Sequence, residues 1–141
     1  MADAIKPAEN PTERQPTVLV VEDDVLVRNI VADYLRDVGF RVIEAVNASE
    51  ATVLLAAHND IDIVFSDISM PGEMDGFGLA TWIDQHGGGV PVLLTSGAHA
   101  GRCNAEGRQF ILKPYDYAEM ERRLRHLLGD NFKAARGTPS A

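Results

Sequence analysis

Short runs of apolar, β-branched residues alternate along the chain with longer stretches whose apolar positions recur every three or four residues. Residues 17–21, TVLVV, are apolar and β-rich nearly throughout, and IVFS at 63–66 and VPVLLT at 90–95 share that character. Such runs fit strands covered on both faces of a parallel sheet, where the usual in-and-out alternation is lost. RVIEAV at 41–46 and QFILK at 109–113 read as two weaker strands. Between strands, Val27, Ile30, Val31, Tyr34, Leu35 and Val38 keep a helical period, with Gly39 as a stop. Asn47 followed by Glu50 has the pattern of a capping box ahead of Ala51, Leu54 and Leu55. Asp116 with Glu119 repeats that signal before Tyr117, Met120, Leu124 and Leu127. Arg122, Arg123, Arg125 and His126 favour the dipole of this last helix and read as its solvated face, with Gly129 as its end.

The order is strand then helix, five times over. Right-handed crossovers turn that order into an α/β fold with a parallel sheet covered on both faces, and five strands suit the doubly wound order 2-1-3-4-5. The carboxyl ends of strands 1, 3, 4 and 5 then meet at one edge, which is where open α/β sheets place their chemistry.

Composition narrows the class. With 141 residues, 45% of them apolar, the chain is expected to hold one domain, spanning 17–129. Residues 1–16, MADAIKPAENPTERQP, contain three prolines and no apolar run long enough for a signal peptide, so they read as a disordered leader. Residues 130–141 read as a polar tail. The expectation is a cytoplasmic protein without a membrane segment. The one cysteine, Cys103, has no partner for a disulfide and suits a small core position. A net charge of −8 argues against non-specific nucleic-acid binding, which needs clustered Lys and Arg, and favours protein partners.

At the shared edge, strand 1 ends on Glu22, Asp23 and Asp24, strand 3 on Asp67, strand 4 on Thr95 and Ser96, and strand 5 on Lys113 before Pro114. Each is an ordinary residue alone, and Asp24 is most simply the cap of the first helix. Together they set acids, a hydroxyl and an ammonium side by side. Two unit charges about 4 Å apart repel by roughly 4 kcal/mol at an effective dielectric near 20, so clustered carboxylates call for a compensating cation. Mg²⁺ fits, because it takes one or two carboxylates, keeps waters and leaves room for a phosphoryl oxygen. Asp67 is then a ligand, or a ligand and nucleophile that forms an aspartyl phosphate, with Lys113 and Thr95 stabilising the charge.

In this order and spacing, VLVVEDD, VFSDISMP with MDG, LLTSG and FILKPY resemble the receiver domain of two-component response regulators, from Thr17 to Leu128. The resemblance implies a flavodoxin-like (βα)5 fold and a stand-alone receiver that acts in signalling rather than as an enzyme, apart from phosphotransfer and slow autophosphatase chemistry. It further implies that Asp67 is the phosphoacceptor and that Glu22, Asp23, Asp67 and the Ser69 backbone carbonyl hold Mg²⁺. Thr95 is implied as the switch hydroxyl, Phe110 as the switch aromatic, Lys113 as the partner of the phosphoryl group, and Lys113-Pro114 as a cis peptide. The implied donor is a phosphohistidine on a sensor histidine kinase or a histidine phosphotransfer protein. With no output module after Leu128 in the chain as given, the expected output is binding of a downstream protein target or onward phosphotransfer, without direct DNA contact. The alternative on the same fold is a pseudo-receiver, an interaction module that is never phosphorylated.

Two other classes fit poorly. A haloacid dehalogenase-type phosphatase needs an Asp-x-Asp pair after strand 1, and a flavodoxin needs a hydroxyl- and Gly-rich loop there, where three acids would repel a phosphate. Within the resemblance, Gly72 and Glu73 make the loop between Pro71 and Met74 one residue longer than usual, and the Gly-rich SGAHAGRCNAEGRQ predicts a fourth helix of a single turn or an irregular one. His58, His86, His99 and His126 lack metal-ligand spacing, and His99 is the one nearest the site rim. Trp82 reads as packing on the third helix, and Arg28 and Asn29 as an exposed helix-1 face suited either to a partner or to solvent.

Overall fold

The computed structural model describes residues 14–136, with side chains described as far as Gly129. Five strands, β1 (Thr17–Val21), β2 (Arg41–Ala45), β3 (Ile63–Asp67), β4 (Val92–Ser96) and β5 (Gln109–Leu112), alternate with five helices. These are α1 (Val25–Asp37), α2 (Ala48–Ala57), α3 (Gly76–His86), α4 (Ala100–Ala105) and α5 (Tyr117–Arg136). All strand pairs are parallel and run β2-β1-β3-β4-β5, the doubly wound order expected of the pattern.

The unbroken apolar strands are explained by the two layers they serve. Val18 and Val20 of β1 join Ile63, Phe65, Leu93 and Ile111 against α1 and α5, where Val31, Leu35, Met120 and Leu124 are buried. Leu19 and Val21 point the other way, into a layer with Ala48, Ala51, Val64, Leu79 and Ile83 of α2, β3 and α3. Successive side chains leave opposite faces of a strand, so a strand with two covered faces has no polar position to spare. A smaller cluster of Ile68, Phe77, Leu94 and Cys103 continues the core under α4, which makes Cys103 the small core residue the composition suggested.

Local signals set the helix starts. Asp24 caps α1 by accepting from the amides of Leu26 and Val27 at 2.9 and 3.2 Å. Asn47 accepts from the Glu50 amide at 2.8 Å, while Glu50 reaches one residue further back than the usual box, to the Val46 amide. Gly39 lies at a φ of 104°, open to glycine, just after α1. The second capping box is half formed: Asp116 accepts from Ala118, but Glu119 pairs with Arg122.

Several expectations are corrected. Ile30 stands 50% exposed, because α1 buries Val31, Ala32 and Leu35 and leaves Ile30 on the far side of that stripe. The stop at Gly129 does not occur, and α5 continues to Arg136. Part of the basic face of α5 is engaged rather than solvated. Arg125 donates to Glu121 and to the Val38 carbonyl and lies over the Phe40 ring, and Arg123 donates to the Phe110 carbonyl at 2.8 Å. Of the leader, residues 1–13 lie outside the described residues, whereas Arg14–Pro16 are tied down. Arg14 forms two bonds to Asp62, at 3.0 and 2.9 Å, and the Arg41 amide donates to Pro16. The tail at 137–141 lies outside the described residues.

Candidate functional site

The strand register assembles the site. Val21 lies beside Ser66, Asp67 beside Thr95 and Ser96 beside Leu112, so the ends of β1, β3, β4 and β5 arrive at one level. The chain continues that alignment past the strands. The Ile68 amide donates to the Thr95 carbonyl, and the Lys113 amide donates to the Ser96 carbonyl, both at 3.0 Å. Lys113-Pro114 is a cis peptide, as the resemblance implied.

Glu22, Asp23 and Asp67 bring carboxylate oxygens within 4.8 Å of one another. Asp67 is 7% exposed and receives the Lys113 Nζ at 3.2 Å. Glu22 is equally buried, and its carboxylate accepts from the Asp24 amide at 3.0 Å. Burial pushes the Glu22 carboxyl above the usual carboxylate range, and nearby Asp67 and Asp23 add to this against the Asp24 amide and Lys113. Asp23 is exposed, as is Ser69 in the loop leaving β3. Tyr115, half-buried two residues after Lys113, sets its ring edge-on to Phe65. Its phenol is pushed up by burial and by Tyr117, Glu22 and Asp67.

Thr95 is 2% exposed, and its Oγ1 is one of the buried polar atoms without a hydrogen-bond partner among the described residues. A buried hydroxyl without an acceptor is uncommon in a native fold, and at a strand end it leaves Thr95 able to donate to a group entering the site. One ammonium facing three carboxyls likewise leaves the cluster short of positive charge. Both features suit a site that holds a divalent cation and then a phosphoryl group.

The remaining sequence expectations divide. Phe110 is half-buried and packs on the cluster of Ile68, Phe77, Leu94 and Cys103. His99 does sit at the rim, hydrogen-bonded through Nδ1 to Ser96 Oγ at 2.5 Å and edge-on to Phe77. His86 stacks on Trp82 at the opposite end of α3. The Ala100–Ala105 helix has six residues, short as expected. In the lengthened loop Gly72 takes a φ of 105°, and residues 71–73 are exposed. Asn29 is exposed, but Arg28 turns inward, with its side chain 13% exposed. The sequence reading also missed Gly76, where a Cβ would lie 2.5 Å from the Asp67 carbonyl oxygen. The one signal for it was its place in the MDG turn.

The response regulator receiver domain family matches residues 18–125. The chain belongs to that family. As a receiver it is similar to the uncharacterized transcriptional regulatory protein YbdJ of Bacillus subtilis (strain 168), 29% identical over 119 residues covering 82% of this chain and 52% of that protein. The receiver thus spans about half the length of that relative. The receiver domain of the hybrid histidine kinase CckA superposes with a TM-score of 0.68 at 33% identity, covering 79% of this chain and 98% of that one. The receiver domain of sensor histidine kinase PA1611 from Pseudomonas aeruginosa PAO1, solved with a magnesium ion coordinated in its active site cleft, shares the fold. Its TM-score is 0.73 at 24% identity over 82% of this chain and 98% of that one. Receiver domains act in two-component signalling, binding Mg²⁺ in their acidic site and meeting histidine kinases and downstream effectors. No helix among the described residues is long and apolar enough to cross a membrane.

Proposed function

We propose that this receiver accepts a phosphoryl group on Asp67 from a phosphohistidine, on a sensor histidine kinase or a histidine phosphotransfer protein, and that the modification switches its binding of a downstream protein or passes the group on. The observation that carries the reading is the setting of Asp67. It is buried, bonded to Lys113, within reach of Glu22 and Asp23, and one strand away from the partnerless Thr95 hydroxyl.

Glu22, Asp23 and Asp67, with the Ser69 carbonyl, are the groups that would hold Mg²⁺. When bound, the ion neutralises charge on the phosphoryl oxygens and on the attacking carboxylate. An Asp67 oxygen attacks phosphorus, a P–O bond forms, the P–N bond breaks, and the electron pair leaves with the imidazole, which takes up a proton. Lys113 steadies the negative charge, and Thr95 donates its hydroxyl to a phosphoryl oxygen. Hydrolysis later returns Asp67 to a carboxylate as water takes the phosphoryl group.

The switch is energetically feasible on these groups. Moving a two-state equilibrium from 1:99 to 99:1 takes about 5.5 kcal/mol, and two or three charge-assisted hydrogen bonds gained in the active state contribute roughly 1.5–3 kcal/mol each. Phe110, the switch aromatic in this reading, lies on β5 beside Leu94, one residue from Thr95 on the neighbouring strand. Val25 and Leu26, exposed by 54% and 69% at the start of α1, offer an apolar landing beside the acceptor for a protein donor. A net charge of −8 disfavours contact with DNA phosphates and supports output through protein contacts, with the protein acting in the cytoplasm alongside its kinase.

Phosphoramidate, a small P–N donor, tests the chemistry. After incubation with Mg²⁺ and borohydride reduction, peptide mass mapping should find homoserine at position 67. Reduction at another acid, or at none, contradicts the assignment.

A further inference from the structure

Arg28, one turn into α1, spends its guanidinium on the loop that carries two of the acids. Its Nη1 donates to the Glu22 backbone carbonyl at 2.9 Å and its Nε to Glu44 Oε1 at 3.2 Å. Glu44 lies on β2, and its other oxygen accepts from Arg36 at 3.1 Å. The Glu22 unit is therefore held at three points. Its amide donates to the Ala45 carbonyl at 3.1 Å, its carboxylate accepts from the Asp24 amide at 3.0 Å, and its carbonyl accepts from Arg28. The first two use main-chain partners that many sequences would supply. The third depends on one side chain.

We propose that Arg28 is a positioning residue for the divalent-cation site, an inference that rests on the reading of that site given above. The peptide between Glu22 and Asp23 is planar, so pinning its carbonyl fixes the plane joining the two α-carbons and narrows the directions from which both side chains can depart. A bare guanidinium this close would also repel a cation. Glu44, which Arg28 and Arg36 share, offsets part of that charge through a direct ion pair. Lysine would bring its donors on one nitrogen, without the planar fork by which two arginine nitrogens reach two separate acceptors. Partners that orient ligating groups in this way typically change metal affinity by about 10–100-fold when removed.

The test is Mg²⁺ binding by titration calorimetry on the full chain, comparing wild type with Arg28→Ala, Arg28→Met, Arg28→Lys and Asp67→Asn. Arg28→Met keeps the alkyl stem and is the variant to read if Arg28→Ala fails to fold. Loss of the guanidinium should weaken Mg²⁺ binding about 10-fold, and Arg28→Lys should recover part of that. In metal-free protein, the ¹³C shift of the Glu22 carbonyl should move in Arg28→Met and less in Arg28→Lys. Wild-type Mg²⁺ affinity in Arg28→Ala and Arg28→Met, even with a lowered Tm, overturns this proposal alone and leaves Arg28 a structural residue. A wild-type protein whose Mg²⁺ binding is absent or indifferent to Asp67→Asn overturns both this proposal and the reading of the site.

Discussion

Glu22 carries the electrostatic tension of the site. Its carboxyl is raised above the ordinary range chiefly by burial, so in metal-free protein its ionised form is disfavoured in the folded state. The sign of the linkage follows. Above the raised folded value the native state bears a penalised charge, and that penalty is relieved as the pH falls through this value towards the ordinary carboxylate figure of about 4.3. Glu22→Gln keeps an oxygen for the Asp24 amide and removes the charge, so without metal at pH 7–8 it should melt higher than wild type, with the difference shrinking in acid. In Mg²⁺ the order should reverse, because wild type gains stability by binding and the variant gains less. A variant that melts lower than wild type in EDTA would show that the charge is not penalised. At Thr95 the orphaned Oγ1 bears on the switch rather than on stability. Thr95→Ala should fold and still take the phosphoryl group, while the gain in partner affinity on phosphorylation falls about 10-fold, the worth of one charge-assisted bond of roughly 1.5 kcal/mol. Loss of phosphorylation itself would contradict its assignment to the switch.

At the scale of elements, the placing of Asp67 depends on how closely α3 approaches β3. The Gly76 amide donates to the Ile68 carbonyl at 2.9 Å, and an added Cβ would fall 2.5 Å from the Asp67 carbonyl oxygen and 2.6 Å from the Ile68 Cα. Those are backbone atoms and cannot step aside as a flexible side chain would. Gly76→Ala should therefore lower stability by about 2 kcal/mol, within the range for overpacked positions, as read from the urea midpoint. An unchanged midpoint would mean that α3 stands further off. The elements themselves were legible because their signals are local: Asp24 and Asn47 cap the helices they precede. What escaped the sequence was set by distant partners. Ile30 faces outward because the α1 stripe is narrower than its apolar pattern. Arg125 is drawn to the Val38 carbonyl 87 positions away, and α5 runs through Gly129, where a helical glycine is tolerated at a modest cost.

For the molecule as a whole, the order of elements fixes which strand ends meet, and that is why the meeting of these residues was legible in the sequence. Four weak signals on four separate strands became one site once the order placed β1, β3, β4 and β5 at a common edge. Arg28 could not be found that way. Its sequence neighbours place it on a helix surface, and its role follows from Glu44 on β2 and the Glu22 carbonyl, contacts that appear when α1 folds back on the sheet. The central claim is that this assembly turns Asp67 into a phosphoacceptor. The most direct measurement is the intact mass of the full chain after incubation with acetyl phosphate and Mg²⁺, beside Asp67→Asn and an EDTA control. The account predicts the addition of one phosphoryl group to wild type and none in either control. An unmodified wild type with its fold intact, or a modified Asp67→Asn, would contradict it.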